Sequence, residues 1–186
     1  MAERRDASVA ERHDTSVAEV DDATGARAPG HWTWRDGVVE PGPAVVVDLD
    51  GVLSDAAQRQ HYLEAPEPDW RAFFIACGDD PVIDEMRVLL DLLDPRLRVV
   101  LLTARPTPVH ELTEAWLRRY EIRWDLLLMR PRGDYAMARD FKEASVSELR
   151  EHGFELLLAV EDDQRNVEMF RHEGVPCIYF HSGYYD

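Results

Sequence analysis

The chain has 186 residues, 45% of them apolar and 31% charged, with a formal net charge of −16 at pH 7, enough for one globular domain plus a tail but not for two comfortable domains. So acidic a chain opposes indiscriminate binding to nucleic acid or membranes, while leaving room for a local basic pocket. Cys77 and Cys177 form no CxxC and no stretch reaches roughly 18 apolar residues, so a zinc site, a disulfide framework and a membrane span are not indicated, and a cytoplasmic protein is expected.

Residues 1–30 contain a short repeat, ERRDASVAE from Glu3 echoed as ERHDTSVAE from Glu11, with no aromatic residue. This is the composition of a disordered or weakly helical tail. Trp32 and Trp34 mark where packing starts, so residues 31–186 are expected to form the domain. From Ala44 onward short apolar runs alternate with helical patterns, which is the signature of βαβ units and a parallel sheet with helices on both faces.

Strands are expected near residues 44–48, 97–102, 125–129, 155–160 and 175–180. The stretch 80–94 has apolar residues at Val82, Ile83, Met86, Leu89, Leu90 and Leu93, the spacing of an amphipathic helix. A second helix is expected from Thr107 and Pro108, with Thr as N-cap and Pro at N1. Two more are expected near 142–151 and 164–173. The stretch 55–80 breaks the alternation and is expected to form a small cap insertion over the end of the first strand. Its aromatic residues Tyr62, Trp70 and Phe73, with His61, read as a small hydrophobic cluster, the alternative being a platform for a nucleobase.

Ligands of parallel α/β sheets bind beyond the carboxyl ends of the strands. The first strand ends in VVVDLDG, delivering Asp48 and Asp50. The next ends in LLTAR, delivering Thr103 and Arg105, and a later one in AVEDDQRN, delivering Glu161, Asp162 and Asp163. Carboxylates crowded into one crevice stay ionised only beside a cation, and an all-oxygen set suits a hard ion such as Mg²⁺. Asp48 is then placed to attack phosphorus, Asp50 to exchange protons with the leaving oxygen and water, and Thr103 and Lys142 to hold phosphate oxygens. Lys142 is the one lysine among 21 basic residues, and a compact ammonium is not interchangeable with a guanidinium in a tight pocket. Arg130 and Arg132, in MRPRGD, are further candidates to line the cleft.

With DLDGV, LLTAR, Lys142 in RDFKEAS, and VEDDQRN in this order, the chain resembles the haloacid dehalogenase (HAD) superfamily of phosphohydrolases from about Val45 onward. The resemblance implies a Rossmann-like fold, an aspartyl-phosphate intermediate on Asp48, Asp50 as general acid/base, and Mg²⁺ held by Asp48, Asp50 (through its carbonyl), Asp162 and Asp163, with Glu161 an open question. The C-terminal half, including the Arg-Gly-Asp turn and NVEMF, is similar to the 3′-phosphatase domains of the phage polynucleotide kinase family. That likeness implies Arg59 and Arg105 as substrate contacts and a nucleic-acid 3′-phosphate end as substrate, although Ala138 and Arg139 stand where the family has acidic residues. A small-metabolite or 5′-nucleotide phosphatase, and a non-catalytic phosphate- or partner-binding module, are the alternative functions.

Overall fold

The central strands are apolar on both sides because alternate residues feed two different cores. In the computed structural model, which describes residues 29–64 and 66–185, the strands are β1 (Trp32–Trp34), β2 (Pro43–Val47), β3 (Arg98–Pro106), β4 (Leu126–Arg130), β5 (Glu155–Glu161) and β6 (Cys177–Tyr179). Val45, Val47, Val99, Leu101, Leu127 and Met129 enter one core, whereas Ala44, Val46, Val100, Leu102, Leu126 and Leu128 enter the other. Burial on both faces removes the polar alternation of a half-exposed strand, which is why these stretches read as continuous hydrophobic runs. The repeat of the tail lies outside the described residues.

Helices α2 (Asp84–Leu92) and α3 (His110–Arg119) cover the first face through Met86, Leu90, Trp116 and Leu117. Helices α4 (Ala138–Glu151) and α5 (Gln164–His172) cover the second through Phe141, Val146, Leu149, Val167, Met169 and Phe170. The sheet order is β1-β4-β3-β2-β5-β6. Strands β2 to β6 are parallel neighbours, and β2 lies between β3 and β5. The chain thus runs outward from β2 to β4, then returns to the other side of β2, which opens a crevice at the carboxyl end of β2.

The sheet is mixed rather than wholly parallel, because β1 pairs antiparallel with β4. Three residues are too few to show a period of two, so this edge strand was not expected. It is held by its side chains: Trp32 is buried, its Nε1 donates to Glu148 Oε2 at 3.1 Å, and its ring lies 4.9 Å from that of His152. Thr107 does not cap α3. Residues Thr107–Val109 form one 3-10 turn, and the Thr107 hydroxyl instead accepts the Arg132 backbone N–H at 3.0 Å. α4 begins four residues before the expected start, without a capping side chain to mark it.

Between β2 and α2 the chain forms a 3-10 segment (Ala56–Tyr62), helix α1 (Trp70–Ile75) and a 3-10 turn (Ala76–Asp79). Asp55 and Asp69 set the starts of the first two by accepting the N–H groups of Ala57 and Ala72 at 3.0 and 2.9 Å. The aromatic residues of this segment divide: Phe73 is buried beneath the Arg59 guanidinium at 4.1 Å, whereas Trp70 is 55% exposed. No helix among the described residues is long and apolar enough to cross a membrane.

Candidate active site

Strand β2 delivers Asp48 because its ladder ends there: the Asp48 N–H still donates to Val160 O at 3.1 Å, after which the chain turns back. The Leu49 carbonyl accepts the N–H groups of Val52, Leu53 and Ser54 at 3.2, 2.9 and 2.8 Å. The turn requires Gly51. Its φ is +82°, and a Cβ there would lie 1.9 Å from Asp162 Oδ2, so both the backbone and the neighbouring carboxylate exclude a side chain.

Lys142, on the inward face of α4, is buried with its Nζ 2.7 Å from Asp48 Oδ2 and hydrogen-bonded to Glu161 Oε1. Glu161 is occupied on both oxygens: Oε2 accepts the N–H groups of Asp162 and Asp163 at 2.8 and 3.1 Å, and Oε1 also accepts Asn166 Nδ2 at 2.9 Å. Asp162 differs, since among the described residues neither of its buried carboxylate oxygens has a donor in good hydrogen-bond geometry, although the Ser182 side chain is near enough to oppose the rise in its proton affinity. Asp48, Glu161 and Asp162 each offer an oxygen within 4.8 Å of the others. Three carboxylates therefore face one ammonium, which leaves a buried excess of negative charge.

The proton affinities follow from that imbalance. Burial raises Asp48 well above the usual carboxylate range, with Lys142 opposing and Glu161 and Asp162 adding to the rise. Burial and then Glu161 push Asp162 up to about 7. Burial alone would lower Lys142, but Asp48 and Glu161 outweigh it and hold the ammonium charged. An orphaned buried carboxylate beside two others, all oxygen donors, fits a hard divalent cation.

Asp50 points into a different cluster. Its Oδ1 accepts from Arg59 Nη2 and from Arg105 Nε and Nη2, the latter two at 2.9 and 2.5 Å. Behind the arginines, Asp80 accepts Arg59 Nε at 3.0 Å, Arg59 Nη2 at 2.8 Å and Ser54 Oγ at 2.5 Å. Burial would raise Asp50, yet the Arg105 and Arg59 charges outweigh it and hold the carboxyl below its ordinary value. Arg59 and Arg105, the substrate contacts that the resemblance implies, stand behind Asp50 and are not among the residues lining the cleft. Both are fully buried, and an unpaired guanidinium at such depth would be costly, so their charges are spent on Asp50 and Asp80.

The remaining sequence candidates divide. Thr103 is buried on β3, its Oγ accepting the Arg105 N–H at 3.2 Å, and it lines the same cleft as Asp48 and Lys142. Asp163 caps α5, accepting the Arg165 N–H at 2.9 Å and its guanidinium at 2.7 Å, so its charge is already matched; the close acidic cluster contains Glu161 instead. Arg130 and Arg132 line the cleft, whose volume is about 1030 Å³.

Two contributions were not anticipated. Asp80 closes the arginine cluster from the far end of the insertion, and Tyr184 lines the cleft while its hydroxyl donates to Asp55 Oδ1 at 2.6 Å. Only the pair of tyrosines after the last strand hinted at the second, and nothing in the DDP sequence singles out Asp80. Trp70, one of the aromatic residues weighed as a nucleobase platform, stands exposed on the cleft lining.

Residues 42–185 match the family model described as the polynucleotide kinase PNKP phosphatase domain. No curated protein sequence matches the chain. Among solved structures it is similar to a chain of the Pnkp1/Rnl/Hen1 RNA repair complex, with 26% identity and a TM-score of 0.63 over 84% of this chain and 48% of that one. A second structure of the Pnkp1/Rnl/Hen1 complex gives 27%, 0.62, 84% and 51%, so the chain spans about half the length of these relatives. A HAD-like phosphatase from Mesorhizobium loti, 14% identical with a TM-score of 0.52 over 77% of this chain and 75% of that one, shares the fold. With nearly the whole described domain inside the matched region, and Asp48, Thr103, Lys142 and Asp162 gathered at one sheet edge, the chain belongs to the HAD-type phosphatase family of polynucleotide kinase PNKP phosphatase domains.

Proposed function

We propose that the protein is a Mg²⁺-dependent phosphomonoesterase that works through an aspartyl-phosphate on Asp48 and acts on nucleic-acid 3′-phosphate ends. The observation that carries this reading is the buried acidic cluster itself: Asp48 lines a large cleft, beside Lys142, and among the described residues the oxygens of Asp162 have no donor in good hydrogen-bond geometry. Asp48 and Asp162 would hold the ion, with Glu161 fixing Lys142 and the Asp162 backbone. When bound, the ion supplies positive charge that lets an anionic carboxylate and an anionic phosphate approach each other.

In the first half-reaction an Asp48 oxygen forms a bond to phosphorus while the ester P–O bond breaks, and its electron pair leaves with the substrate oxygen. Lys142 and the Thr103 hydroxyl hold the phosphoryl oxygens as charge builds on them. The leaving oxygen takes its proton from Asp50. The guanidinium contacts converge on Asp50 Oδ1 and keep the resting carboxyl ionised, so Oδ2 relays to the leaving oxygen a proton brought in by the monoanionic phosphate ester. In the second half-reaction Asp50 takes a proton from water as it attacks the aspartyl-phosphate, which restores Asp48 and releases inorganic phosphate. Holding Asp50 below the ordinary carboxylate range keeps it ionised and so open to accept this proton.

The 3′-end assignment rests on family membership and on the RNA repair complex in which the similar chains were solved. The test is phosphate release with Mg²⁺ from an aryl phosphate, a 3′-phosphorylated oligonucleotide and 5′-mononucleotides, wild type against Asp48→Asn. The reading predicts a loss of at least about 10³-fold in Asp48→Asn, with 3′-phosphorylated oligonucleotide preferred over 5′-mononucleotides. Equal rates for the two proteins refute the nucleophile, and release only from 5′-mononucleotides refutes the substrate.

A further inference from the structure

Residues 180–185, which follow β6, run from the acidic cluster to the insertion. At their start the Phe180 N–H donates to Glu161 O at 2.8 Å, which keeps the chain beside the end of β5. The chain then passes Gly51: a Cβ at Gly51 would lie 3.1 Å from Ser182 Cβ and 1.9 Å from Asp162 Oδ2. Ser182 therefore packs on the turn that carries Asp48 and Asp50, next to the carboxylate of Asp162. Gly183, with a φ of +79°, lets the chain bend there.

Two tyrosines anchor the far end. The Tyr184 hydroxyl donates at 2.6 Å to Asp55 Oδ1, the oxygen that also accepts the Ala57 N–H at 3.0 Å and so starts the insertion. A hydroxyl-to-carboxylate bond of this length is of the strong, charge-assisted kind. The Tyr184 N–H donates back to Ser182 Oγ at 3.2 Å, and the Tyr185 ring lies 5.6 Å from the Arg165 guanidinium. A continuous series of contacts thus runs from Asp162 through Ser182 and Tyr184 to Asp55. The segment that Asp55 starts carries Arg59, which pairs with Asp50.

We propose that Tyr184 is a positioning residue for the divalent ion: anchored on Asp55, it holds Ser182 against Asp162 and so keeps that carboxylate within reach of Asp48. The proposal rests on the Mg²⁺-dependent phosphatase reading of the acidic cluster. Its physical basis is the repulsion inside that cluster. Asp48 and Glu161 push on the Asp162 carboxylate, which has no donor in good hydrogen-bond geometry among the described residues. Packing by Ser182 and Gly51 is what opposes its swing. Freed from the anchor, Asp162 turns away, and an arriving ion must first restore the arrangement, which weakens binding.

The full chain is titrated with Mg²⁺ in two ways, by the rise in melting temperature without substrate and by turnover of an aryl phosphate. Tyr184→Phe removes the anchoring hydroxyl alone, and Ser182→Ala removes the side chain set against Asp162. Each variant is expected to need roughly tenfold more Mg²⁺ for the same rise and for half-maximal turnover. The double variant is expected to need no more than the worse single variant, because the two residues act in series. Asp55→Asn keeps Oδ1 as an acceptor and is expected to stay within about threefold of the wild type. A merely structural role would lower the melting temperature equally with and without Mg²⁺ and leave the Mg²⁺ requirement where it was.

An unchanged Mg²⁺ requirement in Tyr184→Phe and Ser182→Ala overturns the positioning role and leaves the phosphatase reading intact. Effects that multiply in the double variant overturn the route through Ser182. Should Tyr184→Phe fail to fold, Ser182→Ala decides by the same titrations. If the wild type shows neither a Mg²⁺-dependent rise nor Mg²⁺-dependent turnover, the phosphatase reading fails and this proposal falls with it, so the wild type alone tells the two failures apart.

Discussion

At the level of single residues, the reading of Lys142 is the most exposed to test. Its ammonium fits between Asp48 and Glu161 in a fully buried pocket, and a planar guanidinium there would meet two carboxylates set for a point charge. Lys142→Arg is expected to lower kcat at least tenfold although the charge is kept. Unchanged steady-state kinetics would show that the pocket does not discriminate. Asp162 gives a second prediction: Mg²⁺ should raise the melting temperature of the wild type by several degrees, since an ion at 100 times its Kd adds about 2.7 kcal/mol. In Asp162→Asn that shift should shrink or vanish, as read by differential scanning fluorimetry, and a full shift in the variant would place the ion elsewhere. Asp48, Asp50 and Thr103 were legible as candidates because strand ends declare themselves by a change from apolar to polar, and Lys142 because it is the one lysine among 21 basic residues. The pairing of Arg59 and Arg105 with Asp50 and Asp80 was not, because Asp80 lies 30 residues beyond Asp50 and no local pattern links them.

At the level of elements, the five parallel strands were readable as continuous apolar runs and the helices that cover them from helical spacing and start signals, as Val45–Val47 and the Met86–Leu90 pair illustrate. β1 was not, for its three residues act through tertiary packing of Trp32 rather than through a pattern. Trp32→Ala is expected to cost about 3 kcal/mol, roughly 10 °C in melting temperature by circular dichroism. A change of a degree or less would mean that the edge strand contributes little. The turn after β2 is stricter. Gly51→Ala sets a methyl against Asp162, so activity should fall at least about 10²-fold while far-ultraviolet circular dichroism keeps its α/β form. Near-normal turnover would show that Asp162 can move aside without consequence.

At the level of the whole molecule, the buried acidic cluster makes stability depend on pH in a definite direction. In the metal-free protein Asp162 keeps its proton up to about pH 7, whereas in the unfolded chain it ionises near 3.8. Between those values the folded state binds the extra proton, so this group makes the protein less stable as pH rises from about 4 to 7. Urea midpoints measured across that range should fall in the wild type and fall less in Asp162→Asn. A parallel pair of curves would remove the cost assigned to this carboxylate. The same charge imbalance underlies the central claim, that Asp48 becomes covalently phosphorylated. Acid quenching of Mg²⁺-dependent turnover on a ³²P-labelled 3′-phosphate end, followed by peptide mapping, tests it most directly: the label is predicted on the peptide containing Asp48, released by hydroxylamine and absent from Asp48→Asn, whereas undiminished turnover in Asp48→Asn with no label on that peptide would contradict it.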